Sequence, residues 1–360
     1  MKERSLFSRT ISRYLEAVYD DPGNDEARMR YAVWACGRGL AHGALVDLQM
    51  AATTRPLTPA ERATESALLA DHGRIWLGPL APVVRSVRFQ RGFPAHLTIS
   101  ASREADLRAI EGHPAYATVE SIEFEHVQGG LCRRTGSVQI GLGHAAFRGL
   151  RSISGVYGAT LLEASRVHRR LEALAWFVPP EATGSMPPAP PPVVVAQAIA
   201  EFSGLQHLRI GNDAVTTSDD VDDEIAATLL SGQRRPARVS IRSDHRRIRG
   251  WIRRMKKFPV GELELRSDGC GTMQHAGMAL TLHIVDHNVQ PRARAVFDTE
   301  TLQPERYELR TFVAALPILA REGVEVVEVM LPDPTRDGAL LLRAMSNARH
   351  TVPNVDIRQT

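Results

Sequence analysis

From residue 84 onward, short apolar runs share one spacing, apolar-x-x-apolar-x-apolar. It appears at Val84/Val87/Phe89, Val119/Ile122/Phe124, Leu171/Leu174/Trp176, Leu205/Leu208/Ile210 and Pro236/Val239/Ile241, then at Val260/Leu263/Leu265, Val324/Val327/Val329 and Val352/Val355/Ile357. Weaker copies begin at Leu150 and Ala279. The alternation that ends each run buries one face of a strand and leaves the residues between on the other. Amphipathic stretches separate the runs: 161–168, 195–202, 225–230, 248–257, 312–319 and 340–348. A strand and a helix with one apolar face each cannot bury it alone, so successive units must stack, with a largely parallel sheet. Two places interrupt the rhythm. The proline-rich segment from Val178 to Val193 reads as a loop, and the stretch from Ser267 to Leu302 places His283 and Ala295 on the arms of a hairpin.

Before residue 82 the period is helical. Phe7, Ile11, Tyr14, Leu15 and Val18 form one face of a helix ending near Asp21-Pro22-Gly23. Met29, Ala32, Val33 and Cys36 form a second, closed by Gly37 and Gly39, and Ala44, Leu45 and Leu48 a third. A fourth helix starts at Thr58, where Thr58 and Glu61 fit a capping box with Pro59 at the first helical position, and is expected to stop at Gly73. The expected organisation is a helical domain over 1–82 and an α/β solenoid over 83–360. The mean repeat of about 30 residues falls near the upper end of the leucine-rich-repeat range.

Composition narrows the class without naming a partner. Hydrophobic residues make up 43% and charged residues 24%, ordinary for a folded soluble chain. The net charge of +3 is too mild to imply a nucleic-acid or membrane partner by itself. Cys36, Cys132 and Cys270 are odd in number, widely separated and without a Cys-x-x-Cys pair, which points to a reducing compartment. The opening MKERSLFSRTISRYLEAVYDDP lacks the apolar run of a secretory signal, and no segment approaches the roughly 18 apolar residues of a membrane span. A cytoplasmic protein is expected.

The stretch LEAVYDDPGNDEARMRYAVWACGRGLAHGALVDLQ resembles the repeat-companion domain found at the N-terminus of many bacterial leucine-rich-repeat proteins. Asp21, Pro22, Asp25, Arg28, Tyr31, Ala32, Trp34, Gly39, Gly43, Leu48 and Gln49 carry the pattern. His72, Gly73, Trp76, Leu77, Gly78 and Pro79, then Arg91, Gly92 and Phe93, continue it, so the resemblance covers about residues 11–99. Val33 and Ala44 depart from it, standing where the family usually has acidic residues. The resemblance implies no catalytic activity, and no cofactor is expected. The asparagine that follows each strand in regular leucine-rich repeats is clear only at Asn212, so the solenoid is expected to be irregular.

Several motifs bear chemistry. Gly141, Gly143 and Ala146 match a dinucleotide-binding fingerprint, but the acidic residue it requires would be Glu163, inside a helix, so a glycine-rich repeat turn is the plainer reading. His283 and His287 share one side of a strand around Asp286, with His275 distant, short of a metal site. Cys270 lies in a turn without an identifiable base. The strongest signal is a basic run from Arg234 to Lys257 opposed only by Asp244, in which Ile248, Trp251, Ile252 and Met255 form the buried stripe and Arg246, Arg249, Arg253 and Lys257 the outer face. The acidic run Asp219, Asp220, Asp222, Asp223 and Glu224 favours a helix N-terminus.

The leading expectation is a non-catalytic scaffold that binds a protein or peptide on the open face of the sheet. One ladder of Arg88, Glu123, Ala175, Arg209, Ser240, Glu264, Glu328 and Asp356 is expected there, flanked by His207, Arg242, Glu262 and Arg266. Its mixed charge suits a protein more than a polyanion. The alternatives are nucleic-acid binding through the basic helix, and a small-molecule enzyme built on the Gly141/Gly143 turn or Cys270.

Overall fold

A computed structural model of the chain describes residues 13–99, 112–124, 144–156, 158–178, 191–212, 236–242, 249–253, 256, 261–268, 276–285, 288–297, 307–330, 339 and 356–359. It divides into two compact units, 1–171 and 172–360. The boundary expected at 82/83 falls inside the first.

In the first unit, residues 13–20 are helical and are followed by α1 (Asp25–Cys36), α2 (Ala41–Ala51) and α3 (Pro59–Trp76). Asn24 caps α1 by accepting the Ala27 amide at 3.2 Å. The capping box at Thr58 and Glu61 is formed, each side chain accepting the other's amide at 3.2 and 2.8 Å. Gly73 does not stop α3, which runs on to Trp76. It is buried beside Phe89, where a Cβ would make an ordinary 3.7 Å contact with the ring, and Gly78, with φ of 51°, follows the helix end instead. Val18, Tyr31, Trp34, Val46 and Phe93 share one core.

The helices lead into β1 (Val84–Gln90), β2 (Phe93–Ile99), β3 (Ser121–Phe124) and β4 (Ser152–Val156), adjacent in chain order. The sheet is largely parallel as expected, with an exception at the first pair. Arg91 and Gly92 both have positive φ, 52° and 83°, the signature of a two-residue hairpin turn, and they send β2 back antiparallel to β1. From β2 the order is parallel, and Leu97, Ile122 and Ile153 lie in register and are buried. The helix α4 (Gly158–Val167) follows β4.

The second unit contains β5 (Ala173–Val178), α5 (Pro192–Ala200), β6 (His207–Asn212), β7 (Arg238–Arg242) and helical residues 249–253. It continues with β8 (Glu262–Asp268), β9 (Ala276–Val285), β10 (Asn288–Phe297), α6 (Tyr307–Arg321), β11 (Val326–Met330) and β12 (Asp356–Gln359). These strands also pair in chain order. β5 to β8 are parallel, β9 is antiparallel to both neighbours, and β10 to β12 are parallel again. The expected hairpin is therefore present, with His283 on one arm and Ala295 on the other. Leu174, Leu208, Val239, Leu263, Leu282, Ala293, Val327 and Ile357 share one register row, and the first seven are buried. The chain is thus α/β with a mostly parallel mixed sheet. The expected helices over 225–230 and 340–348, and residues 179–190 of the proline-rich loop, lie outside the described residues.

Candidate functional site

In each unit, register places the residues between the buried triplet positions on the opposite, polar face. In the second unit Ala175, Arg209, Ser240, Glu264, Thr281, Arg294, Glu328 and Arg358 share one row. Beside it run His207, Arg238, Glu262 and His283 on one side, and Arg242 and Arg266 on the other. Arg209, Ser240, Glu264 and Glu328 therefore occupy the row expected of them. Asp356 does not. It pairs with Val326 rather than Glu328, because β12 joins β11 two residues out of step with the triplet spacing, and Arg358 takes its place.

Exposure along this face is uneven. Arg238 reaches Glu262 at 3.0 Å and Glu264 at 2.5 Å, and Ser240 donates to Glu264 at 2.8 Å. Glu264 is only 5% exposed and Ser240 and Ala175 are also buried, so Glu264 is an internal countercharge of the face. A buried carboxylate needs such donors to offset its lost hydration. His207 and His283, at the two ends of the Arg238 row, are exposed, as are Arg292 and Arg294 on β10. The Arg294 guanidinium donates to the Met330 sulfur at 2.7 and 3.1 Å. Sequence reasoning placed Arg238 in the basic run and not on this face, and it missed Arg292 and Arg294. The alternation Arg292-Ala293-Arg294-Ala295 was the available signal for the last two, since the alanines face the core.

In the first unit Arg88 and Glu123 share the polar face but not a row. Arg88 pairs with His96 and, through β2, aligns with Ser121 and Ser152, whereas Glu123 aligns with Ser86, Thr98 and Ser154. The Arg88 guanidinium donates to His96 Nε2 at 2.5 Å, and partial burial together with that positive neighbour holds the His96 imidazole below its ordinary pKa.

The tip of the β1–β2 hairpin is held by α1 and α2. Arg28, buried, donates to the carbonyls of Pro22 at 2.7 Å and Arg91 at 3.2 Å and lies over the Phe93 ring at 5.0 Å. Burial, with Arg91 nearby, lowers its pKa to about 10. His42 Nε2 meets the Gly92 carbonyl at 2.7 Å and its Nδ1 meets the Tyr31 hydroxyl at 2.6 Å. A carbonyl can only accept, so Nε2 carries the proton and Tyr31 donates to Nδ1. Burial pushes the His42 pKa down to about 4. Gln49 accepts the Gly92 amide at 2.7 Å and donates to the Phe89 carbonyl at 3.3 Å, while Arg91 pairs with Asp25 at 3.1 Å and with Glu120. These contacts fix the hairpin.

The remaining motifs fare differently. Arg249 and Arg253 are exposed while Trp251 and Ile252 are buried, and Lys256 is engaged by Glu322 at 2.7 Å. Arg246, Ile248, Met255 and Lys257 lie outside the described residues, as do Gly141, Gly143, Cys132, Cys270, His275, Asp286 and His287. Cys36 is unpaired and exposed. Among the described residues no group of three or more His, Cys, Asp or Glu is placed to hold a metal ion, and no helix is long and apolar enough to cross a membrane. The chain matches no protein-family model and no curated protein.

Proposed function

We propose that the chain is a non-catalytic, leucine-rich-repeat-like scaffold that binds a protein or peptide on the polar face of its sheet. One observation supports this most: strand after strand of the second unit turns a buried apolar row to one side and a mixed polar row, with exposed His207, His283, Arg292 and Arg294, to the other. Such a face offers a partner hydrogen bonds and charges on rigid backbone. The helical part of the first unit acts as an N-terminal companion that fixes the opening hairpin. The exposed thiol of Cys36 fits a reducing, cytoplasmic setting. Replacing His207, His283, Arg292 and Arg294 together with Gln is expected to leave the circular dichroism and melting curve of the full chain in place and to remove proteins that co-purify with it from its native host. Co-purification unaltered in the quadruple variant sinks the reading.

The exposed Arg249 and Arg253 support a second reading, nucleic-acid binding through the basic helix. Retention of the chain on single- or double-stranded nucleic acid that falls steeply with salt would favour it over the first.

A further inference from the structure

The polar face of the second unit carries two kinds of charge. On β7 and β8 the charges satisfy each other, Arg238 lying between Glu262 and Glu264. On β10 and β11 they do not. Arg294 and Glu328 are register partners on adjacent strands, yet the Arg294 guanidinium turns to the Met330 sulfur, a weak acceptor, and Glu328 is left half-exposed. Among the described residues neither Arg292 nor Arg294 contacts a carboxylate, and both are exposed. They flank the inward-facing Ala293 and so stand on one face of β10, two residues apart, about 6.7 Å along the strand.

An extended peptide repeats its own side chains on one face at that same interval. We propose that the partner presents an extended segment with acidic residues at alternate positions, laid along β10 so that successive carboxylates meet Arg292 and Arg294. This rests on the scaffold reading and gives its partner a chemistry. Charge-assisted, bidentate pairing of guanidinium with carboxylate supplies the specificity, and the Met330 thioether steadies one of the two guanidinium groups beforehand. Glu328 opposes a carboxylate arriving from the β11 side, so the segment is confined to β10.

The test uses the full chain and a fluorescein-labelled Thr-Glu-Thr-Glu-Thr-Glu peptide, its isomer Thr-Thr-Thr-Glu-Glu-Glu, and fluorescence polarisation. The alternating peptide should bind more tightly than the isomer, lose about tenfold or more in affinity with Arg292→Gln/Arg294→Gln, and gain with Glu328→Gln. Melting curves of the variants report that they fold. Equal binding of the two peptides, no binding of the alternating peptide by the parent, or full binding by the double arginine variant overturns the proposal. Co-purified proteins separate the two levels. If the peptide fails but the quadruple face variant still loses its partners, the acidic-segment proposal falls and the scaffold reading stands; if neither changes, both fall.

Discussion

His42 shows how a single side chain couples the helices to the sheet. Its neutral ring is satisfied on both nitrogens, by the Tyr31 hydroxyl and the Gly92 carbonyl, and burial holds its pKa near 4 against an ordinary 6.5. Above pH 6.5 both folded and unfolded states are neutral there, and the stability is fully present. As pH falls from 6.5 towards 4 the unfolded chain takes up a proton that the folded chain refuses, so up to about 3 kcal/mol is lost across that window. Urea titrations followed by tryptophan fluorescence, at pH 7.5 and 4.5, should show this loss in the parent and a smaller one in His42→Gln. Equal loss in both would remove His42 from the account. At this scale the sequence was partly legible. Of the two tryptophans in the companion-domain pattern, Trp34 is buried and Trp76 is half-buried beside the His42 and His72 rings. Arg28 and Gln49 stood in the companion-domain pattern, but their roles in holding the hairpin were invisible because the backbone groups they reach there, at Phe89, Arg91 and Gly92, lie 40 to 63 positions away.

Elements were more legible than residues where one periodicity governs them. The segment around Trp251 combines a buried stripe with an exposed basic face, and only the stripe engages the core. Replacing Arg249 and Arg253 with Gln should therefore shift stability by no more than about 0.5 kcal/mol per site, while Trp251→Ala should cost about 3–5 kcal/mol. Chemical denaturation of the two variants checks this, and a large loss from the arginine pair would mean that these side chains hold structure. The strand β2 escaped notice for a physical reason. Phe93, Pro94 and Ala95 are all buried, so its start lacks the alternation by which a strand with one wet face is recognised. The β12 register escaped for another: triplet spacing fixes which face a residue takes, but a slip of two residues preserves the face and leaves no trace in the pattern.

For the whole molecule, the repeat spacing conveyed the strand order within each unit and the placing of the core, because stacking is the one way such strands bury their apolar positions. It did not convey direction. β9 reverses the chain and β10 reverses it again, so β11 and β12 run as β5 to β8 do. Excising both arms of that hairpin should leave a chain that still melts cooperatively, with the row through Leu263 set against that through Val327. Excising β9 alone should not, and far-UV circular dichroism with a thermal melt distinguishes the two; equal behaviour would refute the argument. What the hairpin imposes is a parity rule. Such an array can lengthen or shorten by pairs of antiparallel strands without disturbing anything downstream, since two reversals return every later crossover to the same side. A single inserted strand would flip that side and throw the next helix onto the polar face. Growth of this fold is thereby quantised in twos wherever a helix is omitted between two parallel runs.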